Sequence, residues 1–213
     1  MKKKILSLGL IWVFLLLPLY GCNQNSTHGE FSAWDPPVQG LKWGMSQEKA
    51  IEVLKCEDSC EIVEQNGFNL LTVTGNYPSA YGVDFEVMAL QFMTDNSGIE
   101  GYEGLFTFSG TCKEEDVEAL QTKLNETYAD FRKTDDFSNT QRWESPAIKD
   151  LDNAQEIENA LAEKLGDSSE MQQFQMVAMG APMVNYQLFL EGETRGMFQA
   201  NAKYQVLYNA VKP

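Results

Sequence analysis

The feature that most limits what this chain can fold into stands at its start. Lys2, Lys3 and Lys4 precede an apolar run from Ile5 to Leu19, the layout of an export signal. At roughly fifteen residues the run falls short of the about twenty that a membrane-spanning helix needs. Pro18 and Gly21 break the helix just ahead of Cys22, where a peptidase requires extended chain. Residues 1–21 are therefore expected to leave as a signal peptide, and the fold must be built from residue 22 onward.

The segment Leu19-Tyr20-Gly21-Cys22 resembles the lipobox of bacterial lipoproteins. There an aliphatic residue lies three before, and a small residue directly before, the cysteine that becomes the new first residue; Tyr20 departs from the usual small residue between them. The resemblance implies a diacylglyceryl group on Cys22, and two or more acyl chains are what stable anchoring requires. It implies a domain outside the cytoplasm in the bacterial cell envelope, lipid-anchored to the plasma or outer membrane. Asn23 stands where an aspartate would signal inner-membrane retention in enteric-type cells.

The three starting lysines are among only 16 basic residues against 31 acids, so the remainder carries a formal charge of about −18. Such a surface is repelled by nucleic acid and by anionic head groups, and it favours cationic or neutral partners. The single histidine, His28, falls in the polar stretch from Asn23 to Glu30, which reads as part of a flexible tether over residues 22–37. The folded part thus lacks the residue that Ser-His-Asp and Cys-His catalysis and the common zinc sites require. Cys56, Cys60 and Cys112 remain after Cys22. A disulfide between Cys56 and Cys60 suits an exported protein and a spacing of four at a helix end. Cys112 then reads as a buried thiol, and a three-thiolate metal site lacks a fourth ligand.

The domain is expected over 38–213. Ser46 caps a short helix through Leu54. Strands come next at Phe68–Thr74, Val83–Met93 and Tyr102–Phe108, with turns at Asn76-Tyr77-Pro78 and Asp95-Asn96-Ser97-Gly98. Thr111 and Glu114 form a capping box for a helix over about 113–131, striped by Val117, Leu120, Leu124, Tyr128 and Phe131. A strand centres on Trp143, and a helix runs from Asn153 to Leu165 with Gly166 as its stop. Three strands close the chain at Met171–Met179, Met183–Leu190 and Met197–Val211. The pattern predicts an α+β architecture: an antiparallel sheet of about six to seven strands with two or three helices packed on one face, in helix-plus-meander halves over 38–110 and 150–213. Leu41-Lys42-Trp43-Gly44-Met45-Ser46, with Glu48 and Ala50, resembles the opening of small exported domains of the SmpA/OmlA and β-lactamase-inhibitor-protein kind, which implies a binding module.

Each motif with catalytic overtones has a structural account. Ser46-Gln47-Glu48-Lys49 matches Ser-x-x-Lys, but no Lys-Thr-Gly partner exists and capping explains Ser46. Asp84 with Glu86, or Glu100 with Glu103, are conceivable carboxylate pairs, although coincidental pairs are expected among so many acids. Asp95 to Gly98 lacks EF-hand spacing. Met171, Met176, Met179 and Met183 read as core filling rather than copper ligands, and Tyr204 and Tyr208 as sheet packing. The expectation is a non-enzymatic protein with no cofactor and no metal, held on a membrane through Cys22 and engaging an envelope protein by a sheet face or edge. The alternatives are a histidine-free carboxylate hydrolase of envelope polymers, or an enzyme-inhibitor module using the 94–98 hairpin.

Overall fold

A computed structural model describes residues 34–65, 67–74, 79–94, 99–136, 139–191 and 195–212. The fold is α+β, with eight strands and five α-helices among the described residues. Helix α1 (Gln47–Leu54) begins where Ser46 accepts a hydrogen bond from the Lys49 N–H at 3.3 Å, as expected. A first meander comes after it: β1 (Cys60–Gln65), β2 (Phe68–Val73), β3 (Val87–Met93) and β4 (Gly104–Lys113). Helix α2 (Glu114–Thr127) leads to the second, made of β5 (Arg132–Asp136), β6 (Thr140–Glu144), β7 (Asn185–Glu191) and β8 (Arg195–Asn201). Helices α3 (Ala154–Leu165) and α4 (Ser169–Gly180) interrupt that meander between β6 and β7, and α5 (Lys203–Val211) ends it.

All eight strands form one antiparallel sheet in the order β1-β2-β3-β4-β8-β7-β6-β5. The two meanders therefore meet at β4 and β8, and β1 and β5 are the outer edges. One face is sealed: Leu71, Met88, Leu90, Phe108, Cys112, Tyr186, Leu188, Phe198 and Ala200 are all fully buried. Helix α2 packs on this side, since a Cβ at Gly196 would meet Val117 Cγ2 at 2.9 Å. The loop before β3 supplies Tyr81 and Phe85, whose rings meet Phe198 at 5.5 and 6.3 Å. Alternate residues on the other face, such as Leu70, Ala89, Ser109, Gln187 and Gln199, keep partial exposure. That face is the open one.

Five expectations are corrected. The sheet has eight strands rather than six or seven, because the edge strands β1 and β5 carry no alternating apolar pattern to reveal them. There are five helices rather than two or three, because Met171–Met179 is helix α4. Ser168 caps it by accepting from the Met171 N–H at 3.2 Å, and methionine, glutamine and alanine all favour helix. Met197–Val211 divides likewise at Asn201, whose side-chain oxygen accepts from the Lys203 N–H at 3.0 Å and turns the chain into α5. Thr111 lies inside β4, so the N-cap position of α2 falls to Lys113, which makes no side-chain cap bond. Three acids in its first turn, Glu114, Glu115 and Asp116, favour the helix N-terminus instead. The tether's last residues are packed: Pro36 and Pro37 are buried and Trp34 meets Phe131 edge-on at 5.4 Å. The turns at 75–78 and 95–98 lie outside the described residues.

Gly104 shows how closely the chain is stitched. Its φ is +90°, and a Cβ there would overlap the Gly44 carbonyl and approach the Met45 oxygen to 2.7 Å. The Gly44 N–H donates to the Leu105 carbonyl at 2.8 Å, and the Leu105 N–H to that of Met45 at 2.8 Å. Gly104→Ala is expected to cost about 2–4 kcal/mol, read as a lower urea midpoint at unchanged slope. Tyr81, Tyr128 and Tyr186 form a buried cluster in which the Tyr81 and Tyr128 hydroxyls share a hydrogen bond. Burial pushes all three phenols above their ordinary value of 10.0. The unfolded chain ionises near that value and the folded chain does not, so this stabilisation is complete below it and is lost above it. Alkaline unfolding beginning above about pH 10, followed by tyrosinate absorbance, is the expected outcome.

Candidate functional site

Cys22 and the lipobox lie outside the described residues, as does His28. Among the described residues no helix is long and apolar enough to cross a membrane.

The other thiols separate into a pair and a single. Cys56 comes just after α1, its N–H donating to the Ile51 carbonyl at 3.3 Å while Lys55 takes the left-handed conformation at φ 53°. Cys60 opens β1, and its thiol donates to the Glu57 carbonyl at 4.0 Å. Burial, and next the charge of a Cys60 thiolate, push the Cys56 thiol up to about 11. Cys112 is buried on β4 beneath Gly196, and burial raises its thiol too. Three strand spacings, roughly 14 Å, separate β1 from β4, so the three sulfurs do not converge. No group of three or more metal-ligating His, Cys, Asp or Glu occurs among the described residues. In the reduced, folded protein a thiol alkylator is expected to modify Cys60 first. Cys56 and Cys112 should react only on unfolding, read residue by residue by peptide mass spectrometry.

The remaining candidate chemistry disperses. The Ser46 oxygen serves as helix cap, and the Lys49 ammonium reaches Glu52 at 2.7 Å, so neither group is set to activate the other. Asp84, Glu86, Glu100 and Glu103 are exposed, and none lines either of the two depressions described next. Met171, Met176 and Met179 sit on α4, where Met176 is 74% exposed, while Met183 is buried beyond it.

The larger depression, about 390 Å³, lies beyond the ends of β5 and β6 and holds Asp130, Arg132, Glu144, Lys149 and Asp150. Two of its carboxylates are engaged. Glu144 pairs with the Arg132 guanidinium, the Nε donating at 3.0 Å, and Asp150 accepts from the Ala147 N–H at 3.1 Å. These bonds shape the β6 exit; the Arg132 side chain is 74% exposed, so its pair contributes little to stability.

The smaller depression, about 260 Å³, lies on the open face over β7 and β8. Register sets Asn185 opposite Asn201 and Gln187 opposite Gln199. Their neighbours Tyr186, Leu188, Phe198 and Ala200 point to the sealed face and are fully buried. The four carboxamides thus form a square on the open side, bordered by Tyr204 and the Ala181-Pro182 turn. The Asn185 Oδ1 atom is shut off from solvent and has no hydrogen-bond partner among the described residues. Sequence reasoning missed this group. The alternation of Asn185 with Gln187, and of Gln199 with Asn201, was its only signal, and the cross-strand register is what joins the two halves.

The third feature is the β1 edge. Strand β1 pairs only with β2, its residues after Cys60 are exposed, and Ile62 and Val63 are each 43% exposed.

No family model matches this chain, and neither does any curated protein or solved structure.

Proposed function

We propose that this protein is a non-enzymatic interaction module, anchored by lipid on Cys22 in the bacterial cell envelope, that receives an extended basic segment of a partner protein along β1. The unpaired β1 edge carries the reading. A strand with one free edge leaves a row of backbone donors and acceptors that another chain can pair with, a standard mode of peptide capture. Ile62 and Val63 add exposed apolar contact on its two faces.

Charge selects the occupant. Glu61 and Glu64 lie on β1, and Glu57 and Asp58 just precede it. Pairing of two β1 edges brings these acids together, so like charge opposes self-association, while a lysine- or arginine-bearing strand finds complementary partners. The chain's overall acidity pulls the same way. The engaged carboxylates of the larger depression give the hydrolase alternative no support, and the hairpin of the inhibitor alternative lies outside the described residues.

Two measurements test the two parts. The intact mass of membrane-extracted protein is expected to equal residues 22–213 plus a diacylglyceryl group, with membrane association lost in Cys22→Ala. An unlipidated mass removes the anchor. Photo-crosslinking from position 63 in detergent-solubilised membranes should capture a partner through a basic extended segment, and Val63→Glu should weaken capture about tenfold or more at unchanged thermal stability. Capture that is indifferent to Val63→Glu overturns the edge as the binding site.

A further inference from the structure

We infer that the carboxamide square on the open face binds a neutral saccharide, with the Asn and Gln side chains of β7 and β8 as its hydrogen-bonding floor. The inference rests on a different surface from the β1 edge and stands without it.

The lining is uncharged. In a chain with 31 acids and 16 bases, the depression is bounded by Asn185, Gln187, Gln199, Asn201, Tyr204 and the Ala181-Pro182 turn, none of which carries charge near neutral pH. The lining itself offers a charged ligand no counter-ion, and the nearest charges across the strand pair, Arg142 opposite Gln187 and Glu144 opposite Asn185, are of opposite sign. An apolar ligand would strand four amides, each a donor and an acceptor group that costs free energy when buried without a partner. The ligand that suits the lining is neutral and dense in groups that both donate and accept, and sugar hydroxyls have that character.

The amides are poised for it. Gln187 and Gln199 make no side-chain hydrogen bond among the described residues, and neither does Asn185. The Asn185 Oδ1 atom is closed to water in this conformation and has no partner to lose, so an outward turn of the carboxamide breaks no hydrogen bond and presents the oxygen to a hydroxyl. Asn201 spends its oxygen on the Lys203 N–H at 3.0 Å, which leaves its NH₂ to donate. The same row ends on β4 at Thr107, opposite Asn201, whose Oγ1 is also buried without a partner. The square thus offers a free acceptor on Asn185, a free donor on Asn201, and both kinds of group on Gln187 and Gln199, a mixture that vicinal hydroxyls can match. Tyr204 at the rim adds the one aromatic side chain of the lining, a partner for the apolar side of a pyranose. The volume, about 260 Å³, equals that of roughly nine liquid waters, enough for one sugar ring.

A peptide fits less well. Both β7 and β8 are paired on each side, so no backbone ladder is free there, and recognition must come from side chains alone.

The test uses the full chain in detergent and ligand-observed saturation-transfer NMR, with methyl β-glucoside, maltose and N,N′-diacetylchitobiose as probes. Gluconate serves as the charged counterpart and a neutral Asn/Gln tetrapeptide amide as the peptide counterpart. At least one neutral sugar is expected to bind in the millimolar range or tighter, ahead of gluconate. The double variant Gln187→Leu with Gln199→Leu should weaken it about tenfold or more. Asn185→Asp, close to isosteric, should also weaken it, and it keeps the test decisive if the double variant fails to fold. Val63→Glu on β1 should leave sugar binding intact. No transfer to any of the three sugars, transfer that survives both sets of substitutions, or preference for the peptide amide would each overturn the inference.

Discussion

The pairing of β4 with β8 holds the rest of this structure in place. Seven residue pairs, from Thr107 with Asn201 to Lys113 with Arg195, are the seam between two meanders that each lack a second layer on their own. The seam demands glycine on both sides. At Gly110 a Cβ would stand 2.6 Å from a Phe85 ring carbon, and at Gly196 it would stand 2.9 Å from Val117. The absent side chains let the loop before β3 and helix α2 sink onto the sheet. Phe85, Phe108 and Phe198 then close over the join, with Tyr81, Tyr128 and Tyr186 beside them. Core and topology are thus one device: the aromatic cluster gathers its members from both halves, and neither half can complete it alone.

This arrangement explains what the sequence disclosed. Helices α2 and α3 were legible because Leu120 and Leu124, and Ile157 and Leu161, are buried at helical spacing, and Gly166 ends α3 at φ +73°. The central strands were legible because one of their faces is sealed. The edges were not. Strand β5 opens with exposed Arg132, Lys133 and Thr134, and β1 exposes nearly every residue, so neither shows an apolar alternation in its sequence. Helix α4 was mistaken for strand because its methionines suit either state. In α5 the spacing of Tyr204, Val206 and Tyr208 mimics a strand, while Val206, Leu207 and Val211 seat the helix.

The candidate surfaces obey the same logic. A motif within one segment, such as Ser-x-x-Lys, can be read and weighed directly, and here it resolves into a helix cap and an exposed ion pair. The carboxamide square exists only through register: Asn185 and Asn201 lie sixteen positions apart and meet because the β7–β8 hairpin pairs them. Such a site leaves no linear trace. The sealed face and the open face are nevertheless written by the same strands, since every buried Tyr186 or Phe198 obliges its neighbours to point the other way.

The docking of Trp34 sets a geometry for the whole molecule. Trp34 packs on Phe131, and the Tyr186 hydroxyl donates to the Asp35 carbonyl at 3.2 Å, so the chain enters the domain on the β5–β7 side. With lipid on Cys22, the link to that point reaches at most about 43 Å when fully drawn out. Strand β1 stands seven strand spacings from β5, about 34 Å across the sheet. The domain would then be attached by one margin of its sheet, and because the link outreaches the sheet's breadth it leaves the β1 edge free to face either the lipid or the space beyond it.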